Sequence, residues 1–330
     1  MKALVTGIGG FAGSHLAEYL LAQGLEAGGI LLPGEATTNL DAVKHCLTLH
    51  EADLTNAGGI GQVVEEERPD LIFHLAAQAA VSKSWEDPAS TMIINIMSQL
   101  NLFQAVLAAN IRPRILVVGS YEEYGSLRPE ELPAKETSPL RPINPYGVSK
   151  IAQDMMGYQY FSSHGLCCVR VRPFNHLGPR QNETFVAPSF AKQVAEAEAG
   201  LREPIVRVGN LTAQRDFTDV RDIVRGYYLA LLHGEAGDVY NLGSGRATSV
   251  QCILDFFLAQ SKMQLSVEGD PSLMRPLDVP LSVCDFSKLK ERTGWEPEIP
   301  LERTLRDILE YWRNKVASTA QESMLKPRYI

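Results

Sequence analysis

The sequence has few cysteines and no C-x-x-C pair: its five, Cys46, Cys167, Cys168, Cys252 and Cys284, are odd in number. That spacing excludes a disulfide framework and a cysteine-built zinc site, and it fits a reducing compartment in which cysteines act as small buried apolar residues. Positive charge is also scarce. Lys and Arg total 31 against 39 Asp and Glu, a net charge of −8, so a polyanion meets a repulsive average field and no nucleic-acid partner is expected. No run approaches the ~18 consecutive apolar residues of a membrane span. The apolar start is broken by Gly7, Gly9, Gly10, Gly13, His15 and Glu18, which argues against a signal peptide. Internal repeats and low-complexity tracts are missing as well. What remains is the composition of a folded chain, 45% hydrophobic and 21% charged over 330 residues, expected to be soluble and cytoplasmic.

Short aliphatic runs alternate with longer amphipathic stretches. ALVT (3–6) precedes FAGSHLAEYLLAQ, and CLTLH (46–50) precedes a polar helix ending at Arg68. LIFHLA (71–76) is followed by a long helix over 89–109, and RILVVGS (114–120) by a loop and a helix from Pro145. This alternation predicts the α/β class with a doubly wound parallel sheet. After CCVRVRP (167–173) the regularity ends: helices are predicted near 188–199, 249–260 and 301–313, with a short strand at 205–209, while DVYNLG (238–243) reads as a strand returning to the sheet. The expected organisation is a nucleotide-binding domain over 1–175 rejoined by 217–245, a smaller α+β substrate-binding lobe from 176–216 and 246–316, and a polar tail over 317–330.

Gly7, Gly10 and Gly13 lie between the first strand and the first helix, the context in which a glycine triplet marks a Rossmann-type dinucleotide site. The first glycine turns the chain, the second admits a pyrophosphate, and the third lets helix and strand pack closely. The second strand reads EAGGILLPGE, with its expected tip at Leu31 or Leu32. Glu26 is at the wrong end, Glu35 lies beyond a Pro-Gly turn, and no arginine follows. The acidic residue that would select NAD and the arginine that would select NADP are both missing from that tip, so the cofactor reads as NADP or NAD.

Asn144 followed by Pro145 predicts a helix start, which puts Tyr146 and Lys150 on one face, about 6 Å apart along the axis. A free tyrosine is a poor base near neutrality, and a nearby ammonium favours the phenolate. Ser120, at the end of the RILVVGS strand, falls at the carboxyl end of the sheet where ligands of open α/β folds bind. Tyr146, Lys150 and Ser120 therefore form a candidate catalytic set. His74 is expected to pack beneath the glycine loop, Glu65 to Glu67 to form a solvated helix end, and no metal site is read. Asp219 and Asp222 are expected to organise a loop and cap the next helix. Met155, Met156, Tyr158 and Tyr160 read as core or subunit contact.

TGIGGFAGSHL (6–16), DLIFHLAA (70–77), GSYEEYG (119–125), NPYGVSK (144–150), RPFNHLGP (172–179), RDFTDVRD (215–222) and VYNLGSG (239–245) together resemble the extended short-chain dehydrogenase/reductases acting on sugar nucleotides. FNHLGPRQNETFVAPSFAKQ (174–193), VGNLTAQRDFTDVRDIV (208–224) and MRPLDVP (274–280) are most similar to the GDP-6-deoxy-4-keto-mannose reductases within that group, with the GDP-mannose 4,6-dehydratases as cousins. The resemblance implies a GDP-sugar substrate and a homodimer. It implies cofactor contacts at Gly7, Gly10, Phe11, Ala12, Gly13, Asp53, Leu54, Leu75, Ala76, Ala77, Tyr146, Lys150 and Phe174. It also implies substrate contacts at Ser120, Glu122, Asn175, Val186, Lys192, Arg215, Arg275 and Asp278. Glu122, two positions after the catalytic hydroxyl, matches the extra acid/base of the dehydratases and keeps dehydration open. Three departures favour reduction: Phe217-Thr218-Asp219 in place of a W-G-type sequence, Gly147-Val148-Ser149 in place of alanines, and LLPGEATTNL without arginine.

Overall fold

The computed structural model describes residues 1–274 and 277–325. Its centre is a sheet of seven strands, in the order Val239–Leu242, Cys167–Pro173, Arg114–Val118, Leu71–His74, Lys2–Thr6, Glu26–Leu31 and Thr48–Glu51. Every pairing in it is parallel. Strands covered on both faces bury nearly every side chain, which is why LIFH and CCVRVRP are close to continuous apolar runs. One face is packed by the helices Phe11–Ala22 and Val220–His233, where Leu16, Leu20, Ile223 and Tyr227 meet Val5 and Phe73. The other is packed by Ala57–Glu67 and Ser98–Ala108, where Val64, Leu102 and Phe103 meet Leu4 and Ile72. The chain order reverses between Lys2–Thr6 and Leu71–His74, which opens a crevice at the carboxyl ends of those strands.

A further core lies off the sheet, where Phe190, Val194, Ile253, Phe257, Leu305 and Trp312 pack from the helices Val186–Glu198, Val250–Gln260 and Leu301–Leu325. A three-stranded sheet, Ala247–Ser249, Gln214–Asp219 and Asn175–Leu177, lies among these elements. Leu289 and Trp295, although within 246–316, pack on the core of the large sheet instead. The segment from Ala317 continues the last helix to Leu325, because VASTAQESML contains good helix formers and neither Gly nor Pro to stop it. Residues 326–330 lie outside the described ones.

The long helix over 89–109 is broken into Pro88–Met92, a π-turn at Ile93–Met97, and Ser98–Ala108. The bulge turns Asn95 inward, where its amide accepts from the Gln78 N–H at 2.8 Å and donates to Ser149 Oγ at 2.8 Å. By length and composition the run Pro88–Ala108 is apolar enough to cross a membrane, although half of it is buried inside the fold. Its uncharged Ser, Thr, Asn and Gln explain why a search for unbroken apolar runs passes over it. Glu67 differs from its expected solvated role: it is buried and paired with Lys2 at 2.9 Å and His50 at 2.7 Å. Two cysteines also differ from the buried expectation, since Cys46 and Cys252 are exposed.

Candidate active site

The first strand runs into Gly7, whose φ of +68° is strained for any residue with a side chain. A Cβ on Gly13 would lie 2.2 Å from the Gly7 carbonyl oxygen, and one on Gly7 3.0 Å from Ala76 Cα. The glycines therefore keep the loop low between the two strand ends. The helix that follows begins at Phe11 with no capping side chain, which leaves first-turn N–H groups for an anion. Phe11 stacks on His176 at 5.8 Å, and Ala12 packs against the core. Leu75 and Ala76 donate their N–H groups to Thr6 Oγ1 at 3.1 Å each, and Ala77 follows in the same half-buried turn. His74 lies under this turn, 2.9 Å from Thr6 Oγ1, and burial lowers its pKa to about 3, so it stays neutral. Asp53 is exposed and spends its carboxylate on Thr55, while Leu54 is in the core. This cradle fits a dinucleotide pyrophosphate.

The candidate catalytic corner is built where Ser120, just past the carboxyl end of the strand Arg114–Val118, meets the helix Pro145–His164. Asn144 caps that helix by accepting from the Gly147 N–H at 2.8 Å, so the start read in the sequence is realised, and Gly165 ends it in the left-handed region. Ser120 hydrogen-bonds the Tyr146 phenol. Burial raises the phenol's pKa above the usual tyrosine value, and the charges of Glu122 and Glu123 add to that. The expected lowering by Lys150 is not found. The Lys150 ammonium is 5.8 Å from the phenol ring centre and donates to Val118 O and Gln153 Oε1, both at 2.9 Å. Burial brings the pKa of Lys150 down to about 8.

Glu122 is buried with both carboxylate oxygens engaged: Tyr121 Oη donates to one at 2.7 Å and Asn144 Nδ2 to the other at 2.8 Å. The departure at Gly147 has a steric reason, since a Cβ there would lie 2.6 Å from the Glu122 carbonyl oxygen. Phe174 stacks on Tyr121 at 5.5 Å and closes the corner. Behind it is a buried ionic cluster that the sequence reading missed. Arg172 pairs with Glu123 at 2.9 Å and with Asp154, and Arg170 pairs with Asp154 at 2.7 Å. Asp154, between two guanidinium groups, stays ionised, while burial and the Asp154 charge push Glu123 well up. Glu123 also accepts the Ser120 N–H at 2.8 Å, so the cluster fixes the backbone that carries the Ser120 hydroxyl. Two arginines alternating in an otherwise apolar strand of the sheet were the available signal, since buried charges need partners.

On the substrate side, Asn175 Oδ1 is buried with no hydrogen-bond partner among the described residues, an orphaned acceptor that suits a ligand hydroxyl. Arg215 and Asp278, 63 positions apart, form an ion pair at 2.6 Å, and Asn210 donates to Asp278 at 3.1 Å. Val186 begins its helix half-buried, and Lys192 lies two turns along it, paired with Glu183 at 3.1 Å. Arg275 lies outside the described residues. Asp219 caps the helix Val220–His233 as expected, and Asp222 accepts the N–H groups of Glu298 and Ile299.

The fold and this constellation define a Rossmann-type enzyme of the extended short-chain dehydrogenase/reductase kind. The chain belongs to the GDP-mannose 4,6 dehydratase family, whose model matches residues 4–308. It is 35% identical over 315 residues to a GDP-6-deoxy-D-mannose reductase of Pseudomonas aeruginosa, covering 96% of this chain and 98% of that one. The structure of RMD from Pseudomonas aeruginosa complexed with NADPH superposes with a TM-score of 0.84 at 33% identity, over 95% of this chain and 99% of that one. A UDP-glucose 4-epimerase of Thermus thermophilus in complex with NAD gives a TM-score of 0.85 at 31% identity over the same shares.

Proposed function

We propose that the protein reduces the 4-keto group of GDP-4-dehydro-6-deoxy-D-mannose to give GDP-D-rhamnose. The observation that carries this reading is the state of the two acid/base groups in the corner. Tyr146 is held protonated by burial beside Ser120, whereas Glu122 is tied by Tyr121 and Asn144. Reduction needs a proton donor at the carbonyl oxygen, which Tyr146 supplies, with Ser120 as the second hydrogen-bond donor to that oxygen. Gly7, Gly10, Gly13 and the first turn of the helix Phe11–Ala22 hold the dinucleotide pyrophosphate, and Lys150 and Phe174 border the nicotinamide end. When bound, the reduced nicotinamide supplies the hydride to C4. Arg215, Lys192, Asn175 and Asp278 receive the GDP-sugar. In a net-acidic chain the diphosphate is met by this local cation set rather than by the overall field.

A second reading is dehydration of GDP-mannose, favoured by the buried Glu122 carboxylate in the same corner. Offering purified protein either GDP-mannose alone or the 4-keto sugar with reduced dinucleotide separates the two. The expected result is dinucleotide oxidation with the keto sugar only, and a keto product from GDP-mannose without added reductant would overturn the reductase reading.

We further propose that the enzyme works as a cytoplasmic homodimer. Ile93, Met97, Val148, Met155 and Tyr158 are exposed at helical spacing on two neighbouring helices, an apolar face that a second copy would cover.

A further inference from the structure

The second strand ends at Leu31, and Leu32 is exposed at its tip. The chain then folds back on itself. Pro33 and Gly34, with Gly34 at φ +78°, make a turn closed by the Glu35 N–H donating to Leu32 O at 2.9 Å. The Glu35 carboxylate is thereby returned to the strand tip, where Oε2 accepts the Leu32 N–H at 3.0 Å. Its other oxygen, Oε1, lies 3.0 Å from the place a Cβ on Gly9 would occupy. Asn39 Nδ2 donates to Gly9 O at 2.9 Å and ties the same segment to the glycine loop.

We infer that Glu35 binds the adenosine ribose of the dinucleotide and makes the site selective for NAD(H) over NADP(H). Resting on the dinucleotide reading of the glycine loop, this deepens it. A carboxylate beside the glycine loop at the tip of the second strand accepts hydrogen bonds from the vicinal ribose hydroxyls, and these are charge-assisted. A 2′-phosphate at the same place would bring negative charge against the carboxylate. Among the described residues, the cation tied to this segment is engaged elsewhere. The guanidinium of Arg180 donates to Glu18 at 2.6 and 3.0 Å, to Asn39 O at 2.9 Å and to His15 at 2.7 Å. The sequence alone sets Glu35 beyond the strand end; the Pro-Gly turn puts it back. This chain is thus expected to differ from the Pseudomonas aeruginosa structure, whose bound cofactor is NADPH.

The test is calorimetric titration of the nucleotide-stripped full chain with NADH and with NADPH, for the wild type and for Glu35→Gln and Glu35→Ala. Circular dichroism confirms that each variant is folded. The wild type is expected to bind NADH at least about tenfold more tightly than NADPH, the factor that loss of a charge-assisted hydrogen bond produces. Both variants should lose most of that ratio, Glu35→Gln while retaining an acceptor for the Leu32 N–H. Equal or tighter binding of NADPH by the wild type, or an unchanged ratio in both variants, would overturn the assignment while leaving the dinucleotide site standing. Failure of both dinucleotides to bind would remove the site and this assignment with it.

Discussion

The two sides of the crevice are built differently. The catalytic corner is dry: Ser120, Glu122, Glu123, Tyr146, Lys150 and Asp154 are all under a tenth exposed, and Arg170 and Arg172 neutralise it from behind. The substrate flank is wetter. Lys192 is 32% exposed and pairs with Glu183, which is 44% exposed, although Arg215, held by Asp278, is itself buried. In the corner, a low local dielectric makes each charge expensive unless paired, and the same condition fixes proton positions tightly. At Lys192, an ion pair screened by water can exchange partners for a diphosphate at little cost. On the proposed reading, chemistry sits on rigid elements, and recognition on groups that already neutralise one another.

The largest effect should come from breaking the dry cluster. Asp154→Asn removes the anion between Arg170 and Arg172, leaves buried Arg170 without a carboxylate and Arg172 with Glu123 alone, and should destabilise the fold by about 3–5 kcal/mol, read as a lower urea midpoint. A loss below 1 kcal/mol would mean that water reaches the cluster. Next is the pH dependence of the corner. Lys150 is charged below its pKa of about 8 and Tyr146 stays protonated well above it, so kcat/KM for ketone reduction should hold on the acid side of pH 8 and fall as pH rises through that value. A flat profile from about pH 7 to about 9.5 would show that the lysine charge is not needed. The smallest effect belongs to the flank. Lys192→Ala should change stability by under about 1 kcal/mol while raising KM for the GDP-sugar, which a parallel melt and rate series would check. A stability loss as large as that of Asp154→Asn would erase the distinction between the two sides.

The features legible in the sequence are those whose determinants are close together along the chain. The glycine triplet, the Asn144–Pro145 helix start and the four-residue spacing of Tyr146 and Lys150 depend on neighbours within one turn or loop, and each is realised. The alternation that predicted the sheet is local too, since parallel strands must be apolar throughout and their helices amphipathic. The π-turn was not legible, because its cause is the pairing of Asn95 with Gln78 and Ser149, 17 and 54 positions away.

The same division holds for the chemistry. The sequence by itself determined that Tyr146, Lys150 and Ser120 would meet at the mouth of a dinucleotide crevice, because strand ends and helix faces follow from periodicity. Only the tertiary structure decided the state of those groups: that burial outweighs Lys150 in setting the Tyr146 phenol, and that Glu122 is held by Tyr121 and Asn144. It likewise decided that Glu35 returns to the strand tip beside Gly9. Proton affinity and hydrogen-bond partnership depend on desolvation and on groups brought together from distant parts of the chain, and no periodicity in the sequence records either.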